Sequence, residues 1–231
     1  MSVVPPTDEL SSSFFLGADM SEANDLAREV ATVSEPWKNS PYYADAEQWT
    51  HVFWRERGIF RRQFERLDLS NVVELACGHG RHSEQIVTRA GNIIMVDVLA
   101  ENIAACRKRL GQHSNVSFIQ GDGYSFRPVP DASVTAIFCY DAMVHFSPNI
   151  VASYLQDAQR ILKPAGRALF HHSNYDGPAD GHYGQNPHAR NIMTRERFTR
   201  LTEEAGMRVL HSEIMNWVDA DLDCLTLVEK S

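Results

Sequence analysis

Short apolar runs recur along most of the chain, at Val72–Leu75, Ile93–Val96, Val116–Ile119, Val134–Tyr140 and Ala168–Phe170. Several are continuous rather than alternating, as strands covered on both faces are. Between them lie segments at helical spacing. Ala100–Leu110 puts Leu99, Ile103, Cys106 and Leu110 on one face, with Arg107, Lys108 and Arg109 at the end where positive charge suits the dipole. Asn149–Leu162 reads as a helix stopped by Lys163-Pro164-Ala165-Gly166, and Thr194 caps another that Gly206 ends. Met207–Trp217 and Asp221–Lys230 add two closing strands. Strand and helix in alternation predict an α/β domain with a mostly parallel sheet and helices on both faces.

Ahead of the first strand the pattern changes. Met1–Pro36 opens on Pro5-Pro6 and a serine run and is expected to be partly flexible at its start. Ser21-Glu22-Ala23-Asn24-Asp25 can cap a helix through about Val33, with Leu26 and Val30 on one side. Eight aromatics then crowd the stretch from Trp37 to Phe64, and their helical spacing within Ala44–Leu67 assigns most of them to packing. Residues 37–231 are expected to form one domain, in which 173–193 is a long polar stretch with little periodicity. Loops of that length inside a domain are uncommon unless functional or disordered.

Composition narrows the setting. A chain of 231 residues, 43% hydrophobic, is ordinary for a globular domain. No run reaches the roughly 20 apolar residues of a membrane span, and the start lacks the order of a signal peptide, so a cytoplasmic protein is expected. The net charge of −8 argues against nucleic acid, whose binding rests on clustered Lys and Arg. Cys77, Cys106, Cys139 and Cys224 stand in apolar contexts without metal-ligand spacing and read as reduced core residues. A homodimer is compatible with the pattern.

The chemistry begins at Val72-Val73-Glu74-Leu75-Ala76-Cys77-Gly78-His79-Gly80-Arg81-His82-Ser83. Gly78 and Gly80 remove β-carbons where a strand turns toward a helix, so that a nucleotide-like ligand can approach the backbone. A dinucleotide loop would have a third glycine where Ser83 stands, and Glu74 would repel a pyrophosphate but welcome an ammonium or sulfonium. Asp97, Asp122 and Asp141 close the next three apolar runs. Ligands of open α/β sheets bind at those carboxyl ends, so the four acids converge on one crevice.

Residues 72–83 resemble motif I of the class I S-adenosylmethionine-dependent methyltransferases. The resemblance implies a Rossmann-like seven-stranded sheet with an antiparallel last strand, a helical N-terminal lid over 37–70, and S-adenosylmethionine as methyl donor. It further implies that Asp97 meets the ribose and Asp122 the adenine amino group, with Gly123 and Tyr124 beside the ring. Glu74, Ala76, Gly78, Gly80, Val98, Tyr140 and Tyr43 complete the implied donor site. Tyr42, Tyr43 and Trp49 are the lid candidates, able to face the sulfonium with an aromatic ring. The strings Glu-Leu-Ala-Cys-Gly-His-Gly-Arg and His-His-Ser-Asn also resemble bacterial sugar and polysaccharide O-methyltransferases of the methylmannose polysaccharide type. The N-P-P-[FYW] tetrapeptide of amide-methylating enzymes is absent: Asp141-Ala142-Met143-Val144 stands there.

An alcohol acceptor must lose its proton, and histidine does this best near neutrality. Ten histidines are present. His51, His113 and His211 fall outside the crevice, while His79 and His82 sit in the donor loop. His145, just past Asp141, is the candidate general base, with Asp141 and His172 as catalytic partners. His171 and His172 are adjacent on a strand, so only one can face the site. Asp141, His145 and His171 could alternatively hold a divalent cation such as Mg. His182, Tyr183, Asn186, His188, Arg190 and Asn191 of the polar stretch suit a hydroxyl-rich acceptor. The expected function is O-methylation of a hydroxylated small molecule, a sugar or oligosaccharide. Small-molecule N-methylation and non-catalytic donor binding are the alternatives.

Overall fold

The computed structural model describes residues 10–178 and 182–231. Helix α1 spans Leu10–Ser34, so Ser21 lies within it rather than at its start. The flexible beginning expected for the chain falls on residues 1–9, outside the described residues. The aromatic stretch forms three short helices, α2 (Tyr42–Asp45), α3 (Thr50–Phe53) and α4 (Ile59–Phe64), instead of one long one.

The core follows as β1 (Asn71–Leu75), β2 (Asn92–Asp97), α5 (Ala100–Leu110), β3 (Val116–Gln120), β4 (Val134–Cys139), α6 (Pro148–Ile161), β5 (Leu162–Ser173), α7 (Arg195–Glu204), β6 (Met207–Trp217) and β7 (Asp219–Lys230). They build a seven-stranded sheet in the order β3-β2-β1-β4-β5-β7-β6. The first five strands pair parallel, and β7 runs antiparallel between β5 and β6. The order reverses between β1 and β4, and a crevice opens at such a switch point.

Alternate residues of the central strands feed two cores. Val73, Leu75, Ile137 and Cys139 pack with α1, α6 and α7, whereas Val72, Ala136 and Phe138 pack with α3, α4 and α5. Helix α6 shows how its sequence dictates its place. Ser147 Oγ accepts from the Ile150 N–H at 3.3 Å, and Pro148 takes the first turn. Ile150, Val151, Tyr154, Leu155, Ala158 and Ile161 then form one buried stripe. Each large member contributes about 1.5–3 kcal/mol.

One expected element is missing. The segment after Gly80 forms only a short 3-10 turn at Ser83–Gln85 before β2. Arg81 and His82 are drawn into buried contacts there, and Ser83 is held by Glu74. Among the described residues no helix is long and apolar enough to cross a membrane.

Candidate active site

A cleft of about 970 Å³ opens at the carboxyl ends of the strands, walled by the donor loop, the end of β4, α1 and the short lid helices. Ala76, Gly78, Asp97, Val98, Gly123, Tyr140 and Tyr43 line it, as do Asp141 and His145.

The end nearest β1 and β2 is organised by backbone. Ala76 has φ +53°, a left-handed conformation uncommon for a residue with a side chain, and Gly78 follows at +52°. Asp97 accepts from the Gly78 N–H at 2.9 Å with one oxygen, and from the Leu99 N–H at 2.9 Å and Asn102 Nδ2 at 3.1 Å with the other. Burial nevertheless raises its pKa. Tyr43 lies over this turn. Its ring would stand 3.0 Å from a β-carbon on Gly78, it stacks on His79 with centroids 4.5 Å apart, and its hydroxyl accepts from Asn102 at 2.9 Å. The bare turn, the buried acid and the aromatic cover fit a nucleoside-bearing donor.

Four expected donor residues are placed differently. Glu74 is buried beneath the turn, where its carboxylate accepts from the Ser83 backbone N–H at 3.2 Å and from the Ser83 hydroxyl. Burial pushes it up to about 7. Gly80 serves packing: a β-carbon there would lie 2.9 Å from Met95 Cε. Asp122 folds its carboxylate onto its own turn, accepting from the backbone of Tyr124 at 2.9 Å and of Ser125 at 2.7 Å. Tyr124 does not reach the cleft, so Gly123 alone represents that turn, with Val30 of α1 packed against it.

The other end is organised by side chains. Asp141, with φ +61°, donates its N–H to His171 Nδ1 at 3.0 Å. Its carboxylate accepts from Arg81 Nη2 at 2.9 Å and from the Tyr42 hydroxyl. Arg81 also donates to the Ala46 carbonyl at 2.6 Å, and Arg109 pairs with Glu47 at 2.7 Å. These contacts pin the lid onto the core.

His145 lines the cleft with its ring 4.6 Å from that of Trp37. A carbonyl can only accept, so the 2.8 Å contact with the Ala189 oxygen puts the ring proton on Nδ1. Burial lowers the pKa to about 4, so the ring is neutral and Nε2 keeps a free lone pair.

His171 and His172 both turn away from the cleft. His171 sits between the Asp141 N–H and Asp223, which Arg190 also grips with two contacts of 2.7 Å. His172 bonds the Ser173 carbonyl and Thr226 Oγ1 and stacks on Phe198 at 3.8 Å, so both ring nitrogens are engaged by protein groups away from the cleft. The Asp141, His145 and His171 metal set does not assemble either, because two of its members are committed to protein partners. Among the described residues no group of three or more His, Cys, Asp or Glu could hold a metal.

Trp49 is 54% exposed and points outward, while Trp37 takes the place on the cleft wall expected for it. Among the described residues of the polar stretch none lines the cleft; several of them support His145. Ala189 holds Nδ1, Asn191 Nδ2 donates to the His145 carbonyl at 3.2 Å, and the Tyr183 hydroxyl donates to the Val33 carbonyl at 3.0 Å. Arg81, Trp37 and α1 were not foreseen as site elements. The i, i+4, i+7 spacing of Leu26, Val30 and Val33 was the available signal for α1.

Residues 72–166 match the methyltransferase domain family. An arsenite methyltransferase of Aquipseudomonas alcaligenes is 31% identical over 115 residues, 45% of this chain and 33% of the relative, so the chain spans about a third of that protein's length. An S-adenosylmethionine-dependent methyltransferase from Mesorhizobium loti superposes with a TM-score of 0.62 at 14% identity, covering 74% of this chain and 97% of the other. Geranyl diphosphate C-methyltransferase from Streptomyces coelicolor gives 0.61 at 14% identity over 74% and 77%. Residues 72–166 thus match a methyltransferase domain, and the chain has the Rossmann-like fold that those solved methyltransferases share.

Proposed function

We propose that this chain is an S-adenosylmethionine-dependent O-methyltransferase acting on a small hydroxylated acceptor, with sugars and short oligosaccharides as the favoured class. When bound, the donor supplies an electrophilic methyl group on a sulfonium. Ala76, Gly78, Asp97, Val98 and Tyr43 are the residues suited to hold it. The observation that carries the oxygen reading is His145: a neutral, tautomer-fixed imidazole in the cleft wall, with Nε2 open to take the proton of an attacking hydroxyl.

The surroundings suit that task. Trp37, Tyr42 and Tyr43 give apolar faces against which a sugar ring can lie, and the docked lid excludes water from the transfer. Asp141 anchors the lid through Tyr42 and Arg81 rather than touching the proton in flight. An amine acceptor is the second reading. A base held at about 4 is weak, and a neutral amine needs less help than an alcohol.

Incubation with methyl-labelled donor and panels of sugars, phenols and amines tests the proposal. Label on oxygen acceptors that is lost in His145→Gln supports it. Transfer to amines alone, or tight donor binding without any transfer, would overturn it.

A further inference from the structure

His82 follows the donor turn, 4% exposed, in the cleft wall next to Arg81. The Trp54 indole Nε1 lies 3.1 Å from its Nδ1. An indole nitrogen can only donate, so Nδ1 is the acceptor and the ring proton sits on Nε2. Burial, reinforced by Arg81, holds the ring well below its usual pKa, so there is no second proton. Nε2–H has no protein acceptor. Among the described residues Thr50 Oγ1 and Asn102 Oδ1 are stranded in the same way, but neither residue lines the cleft.

A stranded buried donor costs about 1–3 kcal/mol, and native proteins hold few of them. Aromatic rings crowd the imidazole, those of Phe53, Phe60 and Tyr140 standing with centroids 6.0, 6.1 and 5.5 Å away. His82 is itself one of the residues that line the cleft, which gives an acceptor atom of a bound molecule a side from which to approach.

We propose that His82 is an acceptor-specificity residue, its Nε2–H donating to an oxygen lone pair of the molecule to be methylated. The inference rests on the O-methyltransferase reading and narrows it. The group read at this point is a hydroxyl, carbonyl or carboxylate oxygen. A protonated amine would turn its own hydrogens toward a fixed N–H and is disfavoured. His145 and His82 then have opposite roles, one offering a lone pair and the other a proton.

The test uses the full chain with ¹⁵N-labelled histidine rings, saturated with S-adenosylhomocysteine and titrated with phenol or, separately, benzylamine hydrochloride. The resonance absent from His82→Phe identifies Nε2–H. Phenol is expected to shift it and benzylammonium to leave it in place. His82→Phe should weaken phenol binding about tenfold, the worth of one hydrogen bond, with S-adenosylhomocysteine affinity within twofold. Trp54→Phe is the second variant. It frees the proton to move to Nδ1 and should weaken phenol binding in the same direction without altering the cleft wall.

An unmoved resonance at saturating phenol, as expected if Nε2–H merely rests on the Tyr140 ring, would overturn the proposal. So would undiminished phenol binding in both variants, or equal loss of phenol and S-adenosylhomocysteine. Oxygen methylation unaffected by His82→Phe would remove this role and leave the O-methyltransferase reading intact. Turnover on amines alone, with phenol still moving the His82 signal, would remove that reading and leave His82 as an oxygen-binding group.

Discussion

The two ends of the cleft are built by different means. At β1 and β2, Asp97 is satisfied by two backbone N–H groups and Asn102, so the donor turn is fixed through its backbone. At β4, the wall is made of side chains from segments far apart in sequence: Tyr42 and Arg81 meet on Asp141, and Trp37 and Ala189 both contact His145. A backbone-built site tolerates little change in the ligand it holds. A side-chain-built site can be altered residue by residue, which suits the half that selects the acceptor.

The largest expected effect lies at the side-chain end. His145→Gln keeps a polar group of similar reach but no base, and should lower kcat by roughly 10²–10⁴-fold. The affinity for S-adenosylhomocysteine, measured by calorimetry, should stay within twofold. Equal loss of both would show that the ends of the cleft are not separable. The acid limb of the rate profile should fall below pH 5, because burial holds His145 at about 4. A limb near pH 6.5 would identify a different base.

The same burial governs stability. His145 and His172 are held at about 4 and about 3 by desolvation, against roughly 6.5 unfolded. The unfolded chain therefore binds more protons below pH 6.5, and stability rises with pH across that window. Stability is complete above about pH 6.5 and drains away as pH falls toward 4, by about 3 kcal/mol for His145 alone at roughly 1.4 kcal/mol per unit. Urea unfolding at pH 7, 5.5 and 4.5 measures it. In His145→Gln the slope should shrink while the His172 part persists.

The difference between the two ends also explains what could be read from the sequence. The strands and the donor turn were legible because their signals are local: apolar runs, Gly78 and an acid at each strand end. The direction of a carboxylate was not. Glu74 and Asp122 have the right spacing, yet each is captured by neighbours, Ser83 in one case and Tyr124 with Ser125 in the other. The placing of His172 is illegible for a similar reason: it bonds Thr226 across the strand pair, and strand register alone decides which face a side chain takes. The helix expected after Gly80 fails because Arg81 gains a buried partner 60 residues away, which no local periodicity encodes. The polar stretch 173–193 suggests acceptor binding, yet Ala189 and Asn191 hold His145 and Arg190 holds Asp223.

At the backbone end, Asp97→Asn should be felt mainly in donor affinity. The amide can accept from only one of its two terminal atoms, so either the Gly78 or the Leu99 N–H loses its partner. Hydrogen bonds to a charged group contribute about 1.5–3 kcal/mol, so Kd for S-adenosylhomocysteine should rise about 10- to 100-fold. The acceptor KM at saturating donor should hold. A variant that loses acceptor affinity in the same proportion would join the two ends into one cooperative unit.

The smallest effect is expected where the ends meet, at the lid. Tyr42→Phe removes the hydroxyl on Asp141 but leaves the Arg81 ion pair and the Arg81 contact with Ala46. With Arg81 already balancing the Asp141 charge, the lost hydrogen bond nets about 0.5–1.5 kcal/mol, so the docked lid should weaken by roughly two- to twelvefold without unfolding the domain. Faster release of S-adenosylhomocysteine in stopped-flow, with kcat held or raised where release limits turnover, is the expected signature. Asp141→Asn removes the charge that both Tyr42 and Arg81 face and should speed release further. If release is unchanged in both variants, the lid is held by its aromatic packing, Tyr43 on His79 and Trp37 on His145, and the polar contacts only set its register.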